Sequence, residues 1–350
     1  MQQRSPTLKD VADLAGVSVS TASRVLNGQA SVKREMALLV RDATDRLGYR
    51  PNVAARSLRL SHSMTLGAVF NRLDSPLTRT LLTGLEVGAR ERNYALLLTN
   101  ASGDPEVFRT LMERLLQRRV DALLVYRPPN EIDECLELYQ NAGVPVISVF
   151  AKPRSVRLPL VTNRPTEAIS RAVDHLAALG HRTIGYVATE SEIGDFRSQL
   201  LEESAQRNGM RFQLLEIEEP EDPDIIRATA TVIRSSAARA DRPTVMFGSY
   251  RHIPGLLLAA REQGWQVPRD LSLVSFGDGM WLQAHDPPIA AIGTDGYEIG
   301  RAAALTAIEA IADQPIERKQ ELAGSFWEPR ASAGSAPSAS GISRRRKVFG

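Results

Sequence analysis

A chain of 350 residues, 43% hydrophobic and 24% charged, is too long for one ordinary domain and apolar enough to bury more than one core, which excludes disorder as its main theme. Its 43 basic and 41 acidic residues balance to +2, but unevenly: residues 1–63 sum to +5, residues 64–330 to −7 and the last twenty to +4. A basic head on an acidic body suits a polyanion-binding module joined to a part that stays off polyanions.

The first element begins at Thr7-Leu8-Lys9-Asp10, a capping box in which the Thr7 hydroxyl accepts a first-turn N–H and Asp10 reaches back. Leu8, Val11, Ala12, Leu14 and Ala15 give this short helix an apolar stripe, and Gly16 is placed to end it in a left-handed cap. Ser18 is a second N-cap, and the helix that follows runs to Leu26 before Asn27-Gly28. Two short helices joined by a tight, Gly-containing turn form a helix-turn-helix. The second helix is polar on one face, with Ser20, Thr21, Ser23 and Arg24, and apolar on the other, with Ala22, Val25 and Leu26. Small side chains let such a helix enter a major groove, where an arginine pairs bidentately with guanine. A third helix, about residues 34–47, offers Met36, Leu39, Val40, Ala43 and Leu47 to close a small core.

Pro51 then forces a boundary, and Asn52 is placed to cap a helix of about two turns rich in Val, Ala, Arg, Ser and Leu. A helix that short is marginal alone and needs a packing partner. The run from Thr7 to Leu58, TLKDVADLAGVSVSTASRVLNG and then LGYRPNVAARSLR, resembles the DNA-binding head and hinge helix of the LacI/GalR family of bacterial transcription regulators. The resemblance implies that Val19, Ser20, Thr21, Ser23 and Arg24 face bases in the major groove. It also implies a minor-groove role for Asn52, Ala55, Arg56, Leu58 and Arg59, with Leu58 as the wedge that unstacks a base step. Lys33 departs from the pattern, because the family has a small N-capping residue there, and this weakens the start of the third helix.

Past residue 60, β-like runs alternate with helical patterns. Strands are predicted at 65–70, 95–99, 122–126 and 144–150 with helices at 77–92, 105–118 and 132–142 between them. The scheme repeats with strands near 184–187, 213–217, 244–248 and 273–276 and helices near 166–179, 196–208, 224–238 and 254–263. Such alternation predicts two doubly wound α/β halves with parallel sheets, and a ligand at the carboxyl ends of the strands. The family resemblance extends over this body to about Ser335, and implies a core like that of periplasmic sugar-binding proteins, closing on a ligand by hinge motion. It also implies that a helix at 297–311 returns the chain to the first half. The resulting division is a head and hinge at 1–60 and an effector-binding and dimerisation domain at 61–334. Within the latter, one subdomain takes 61–160 and 291–322, and the other takes 161–290 and 323–334. Residues 335–350 are expected to form a disordered basic tail.

Signals for other functions are missing from the sequence. No stretch approaches the ~20 uninterrupted apolar residues of a membrane helix, and the opening MQQRSPTLKD has no secretory core, so a cytoplasmic, nucleoid-associated protein without membrane contact is expected. The single cysteine, Cys135, allows neither an internal disulfide nor a cysteine-based zinc cluster. No phosphate loop, nucleophile elbow or metal-ligand histidine spacing is present, so neither catalysis nor a cofactor is expected.

The resemblance places Arg197, Phe150, Ser249, Tyr250, Asp278 and Asp74 around the effector cleft. Arg197 matches the family's ligand-contacting arginine, but Phe150, Ser249-Tyr250 and Gly277 stand where the family carries carboxylates and an amide. Loss of groups that bracket sugar hydroxyls, with Arg251 added nearby, points to an anionic effector, on which Phe150, Tyr250 and Trp281 are expected to stack. A homodimer on a pseudo-palindromic double-stranded operator completes the expectation. The rival reading is a soluble sensor of small molecules without DNA action.

Overall fold

The computed structural model describes residues 6–26, 33–49, 62–73, 75–151, 157–189, 196–217, 224–237, 241–322 and 324–337. They fall into two compact units, Met1–Met64 and Thr65–Gly350, so the boundary lies four residues beyond the expected one. The hinge residues Asn52, Ala55, Arg56, Leu58 and Arg59, the cleft candidate Asp74 and the run 338–350 lie outside the described residues.

The head contains α1 (Leu8–Ala15), α2 (Val19–Leu26) and α3 (Arg34–Leu47). Both arms of the capping box form: the Asp10 N–H donates to Thr7 Oγ1 at 3.3 Å and the Thr7 N–H to Asp10 Oδ2 at 2.7 Å. Gly16 ends α1 at φ 66°, a conformation that costs a residue with a Cβ about 1 kcal/mol or more. The Ser18 hydroxyl accepts the Thr21 N–H at 3.1 Å, capping α2, whereas Lys33 supplies no side-chain cap to α3. Val11, Ala12, Ala15, Ala22, Val25, Val40 and Ala43 form the buried core.

Three residues expected in that core are instead on the surface: Leu14 is 45%, Met36 40% and Leu39 54% exposed. Leu14 and Leu39 each sit about 100° around their helices from the buried Ala15 and Val40. In the first turn of α3, Ala37 rather than Met36 packs on the core.

The second unit holds two six-stranded sheets, each covered by helices. The first sheet is built from β1 (Thr65–Phe70), β2 (Ala95–Asn100), β3 (Ala122–Tyr126), β4 (Val146–Val149), β5 (Leu160–Asn163) and β11 (Lys319–Leu322), in the order β11-β5-β4-β3-β1-β2, all parallel. The second uses β6 (Thr183–Thr189), β7 (Arg211–Ile217), β8 (Val245–Ser249), β9 (Ser272–Phe276), β10 (Ala290–Thr294) and β12 (Ser325–Glu328), in the order β12-β10-β9-β8-β6-β7. Among the described residues only β12 runs antiparallel to its neighbour. Central strands such as β3 and β8 are buried along their whole length, as strands covered on both faces must be, while the edge strand β2 is largely open.

Helices α4 (Pro76–Glu91), α5 (Pro105–Gln117), α6 (Asp133–Asn141) and α12 (Gly296–Ile311) belong to the first lobe. The second lobe holds α7 (Thr166–Ala178), α8 (Phe196–Arg207), α9 (Ile225–Ala237), α10 (Ile253–Glu262) and the short α11 (Met280–Ala284). Cys135 is buried in the first lobe, where burial raises its thiol pKa above the ordinary value. Among the described residues the chain passes between lobes three times, after β5, β10 and β11. The first two passages come later than the sequence suggested: β5 pairs in the first sheet through Asn163, and β10 in the second through Thr294. The reason is pairing: β5 completes its parallel ladder with β11 at Asn163, and β10 its antiparallel ladder with β12 at Thr294, before the chain leaves each sheet.

Candidate functional site

In the head, α2 buries Ala22 and Val25 and exposes Val19, Ser20 and Arg24, with Thr21 and Ser23 at the margin of the exposed face. Ser18 Oγ lies 2.9 Å from Ser20 Oγ and 2.8 Å from Thr21 Oγ1, a hydroxyl cluster at the helix start. All five predicted groove-facing residues therefore lie on one element, held by a capped N-terminus and a packed opposite face. Their chemistry is that of base and phosphate contact: one guanidinium, short hydroxyls and no carboxylate.

In the second unit a cleft of about 870 Å³ opens between the lobes at the carboxyl ends of the strands. Of the expected residues, Arg197, Phe150, Ser249, Tyr250 and Asp278 all line it. Phe150 follows directly after β4 at φ 68° and is buried, its ring edge-on to Tyr126 at 5.7 Å. Arg197, in the first turn of α8, lies with its guanidinium carbon 5.1 Å from the Phe276 ring centre. Ser249 is buried beside His252, Oγ to Nδ1 3.2 Å. The Tyr250 and Trp281 rings meet edge to face at 5.4 Å, and burial raises the Tyr250 phenol above its ordinary range against an opposing hydrogen bond from Trp281. These two rings support each other and the adjoining core as well as facing the cleft.

Asp278 lines the cleft and also makes an ion pair within the protein. Its carboxylate is gripped at both oxygens by Arg330, 2.8 Å from Nη1 and 2.6 Å from Nη2, with the two side chains only 13% and 14% exposed. A carboxylate held in this fork ties the β9 end to the C-terminal segment, and the second lone pair of each oxygen stays available on the cleft it lines. Gly277, beside it, adopts φ 100°, a backbone that disfavours the aspartate of the family pattern.

The sequence reading missed a second set of cleft residues, contributed by the first lobe: Asn71, Arg72, Arg79, Tyr126 and Arg127. Arg72 and Arg127 follow closely after β1 and β3, at carboxyl ends where ligands of doubly wound sheets bind, and that position was the available signal. Arg127 stands at φ 47° with its guanidinium carbon 5.7 Å from the Phe150 ring centre. Left-handed backbone at two such residues costs on the order of 1–3 kcal/mol each and marks a place held by function or by surrounding structure. At the crossings, Asn163 donates both amide hydrogens, to Thr294 Oγ1 at 3.0 Å and Ser325 Oγ at 2.7 Å, tying the three interlobe passages together. Among the described residues no group of three or more His, Cys, Asp or Glu is placed to hold a metal ion, and no helix is long and apolar enough to cross a membrane.

Comparison with known proteins accounts for both units. Residues 7–52 match the model for bacterial regulatory proteins of the lacI family. Residues 63–238 match periplasmic binding proteins and the sugar binding domain of the LacI family, and residues 173–333 a periplasmic binding protein-like domain. The chain is 28% identical over 330 residues to the ribose operon repressor of Escherichia coli strain K12, covering 90% of this chain and 96% of that one. It is 26% identical over 323 residues to the HTH-type transcriptional repressor PurR of Aliivibrio salmonicida, covering 89% and 94%. In fold it is similar to the lac repressor dimer bound to operator and an anti-inducer, with a TM-score of 0.79 at 22% identity over 95% of this chain and 100% of that one. A head and a two-lobed core that both match one family, joined in the same order along nearly the full length of these relatives, make the conclusion direct: the chain belongs to the LacI family of bacterial regulatory proteins.

Proposed function

We propose that the protein is a sequence-specific DNA-binding transcriptional repressor whose affinity for its operator is set by a small metabolite in the interlobe cleft. The observation that carries this reading is the exposed face of α2, with Val19, Ser20 and Arg24 held outward by the capped, packed head. Relatives named as repressors support it. The protein acts as a homodimer that sets two heads on a pseudo-palindromic duplex, and the nucleoid is its place of work. For the effector, the resemblance implies a sugar or an anionic sugar derivative, and the arginines around the cleft favour an anion. An effector that prefers one lobe arrangement by about 1 to 3 kcal/mol changes operator affinity roughly 5- to 150-fold.

The test is selection of binding sites from random duplexes by the full chain, followed by titration of the selected site at several salt concentrations. A specific site with a steep salt slope is expected. Arg24→Ala should weaken that site by about 1 to 3 kcal/mol and relax preference at one base pair. Binding that ignores both salt and the Arg24 substitution would leave only a sensor without DNA action.

A further inference from the structure

Within the cleft, the two lobes present the same small device. In the first lobe the Arg127 guanidinium lies over Phe150, and in the second the Arg197 guanidinium lies over Phe276. The two pairs come from separate sheets, at the ends of β3 and β4 and at the end of β9 beside α8, yet they line one cavity. A guanidinium held over a ring is restrained by it, and its coplanar N–H donors form a fork that matches a carboxylate or phosphate. Arg72, Arg79 and Arg251 add further cationic lining from both lobes.

The two carboxylates among the described residues that line the cleft both accept hydrogen bonds from within the protein. Asp278 is gripped by Arg330, and Asp295 accepts the Tyr297 N–H at the start of α12. A polyol needs acceptors as well as donors around each hydroxyl, whereas an anion needs donors alone. The aromatic lining of Tyr126, Tyr250 and Trp281 suits an apolar body between charged ends.

We infer that the cleft takes a two-headed anion, a small dicarboxylate or its phosphate equivalent, with one anionic group on the Arg127–Phe150 pair and the other on the Arg197–Phe276 pair. Such a ligand bridges the lobes and favours their closed arrangement, which a ligand with one anionic group does less well. This inference rests on the cleft being the effector site of the regulator proposed above.

The full-length protein is tested by calorimetry and thermal shift with adipate, glucarate, hexanoate, gluconate and glucose, probes that vary charge and hydroxyl content separately. Adipate and glucarate are expected to bind at least about tenfold more tightly than hexanoate and gluconate, the size of one charge-assisted hydrogen-bonded contact. Their ratio reads the contribution of the hydroxyls, and either order keeps the two-headed reading. R127Q and R197Q should each reduce dicarboxylate affinity to the monocarboxylate level. R127K, which keeps the charge and loses the fork, should fall between, and unliganded melting curves report whether each variant is folded. Monoanions binding as tightly as dianions, glucose binding in their place, no dicarboxylate binding, or dicarboxylate affinity untouched by both substitutions overturns the inference. Duplex selection runs in parallel with the same protein. Dicarboxylate binding without a retained duplex would sink the regulator and spare the ligand class; a retained duplex without dicarboxylate binding would do the reverse.

Discussion

Single residues carry two roles that composition does not reveal. His181 is fully buried, with Nδ1 2.8 Å from Thr244 Oγ1 and Nε2 3.0 Å from the Gly334 carbonyl oxygen. A carbonyl only accepts, so Nε2 carries the proton and Nδ1 accepts from Thr244, which fixes the neutral tautomer. Burial holds the His181 pKa below its ordinary value, against the raising effect of the Gly334 contact. The unfolded chain therefore takes up a proton at a pH where the folded chain does not, and stability falls as pH drops below about 6.5 toward the folded-state value. Melting temperatures measured across that window should show the loss, and His181→Gln should flatten it. Asp278 gives a second prediction. If it anchors Arg330, Asp278→Asn lowers stability by about 1 to 3 kcal/mol by leaving a poorly solvated guanidinium without its partner, and a double-mutant cycle with Arg330→Gln shows coupling. Additive effects in that cycle would show that the pair is not an anchor.

Among the elements, the pair α4 and α12 shows why glycines recur where neither a turn nor a cap needs them. Gly84 and Gly88 on α4 face Tyr297 and Arg301 on α12, while Gly296 and Gly300 on α12 face Leu77 and Leu81 on α4. A Cβ at Gly88 would stand 2.8 Å from the Arg301 carbonyl oxygen, and one at Gly84 or Gly300 would fall on backbone of the opposite helix. Backbone cannot yield as a flexible side chain does, so Gly84→Ala and Gly300→Ala should each cost at or above the upper end of the ~1–3 kcal/mol typical of overpacking, read in denaturant melts. Both helices begin at the cleft, α4 after Ser75 and α12 after Asp295. In the head, Leu14, Met36 and Leu39 show the limit of reading a stripe from apolar spacing. In helices this short, which face is covered depends on partners that periodicity does not name.

For the second unit as a whole, three chain crossings meet at the Asn163 amide, so the two lobes are linked by a hydrogen-bonded hub as well as by covalent chain. Arg164 and Glu321 add an exposed ion pair at 3.0 Å beside it. Under the proposed function, Asn163→Ala should loosen the relation between lobes. The expected outcome is a smaller ligand-dependent change in operator affinity with a fold otherwise intact, checked by duplex titration with and without the ligand and by circular dichroism. Unchanged coupling would show that the covalent crossings suffice.

Much of this architecture was legible before any coordinates. The capping box, the Gly16 turn and the polar face of α2 are local, set by residues within a few positions of one another, so sequence alone determined the helix-turn-helix and the exposed face of α2. The alternation of buried strands with amphipathic helices likewise determined two doubly wound lobes. The strands β5, β11 and β12 were not legible, because four-residue segments such as Lys319–Leu322 carry no periodicity and owe their strand character to a partner far along the chain. The cleft divides the same way. Arg197 and the aromatic positions stood out one by one, but the Arg330 grip on Asp278, the Arg127–Phe150 pair that matches Arg197–Phe276, and the Asn163 hub join residues from 23 to 162 positions apart. Only the tertiary structure decides such pairings, because the energy that selects them comes from contacts formed after the chain has folded back on itself.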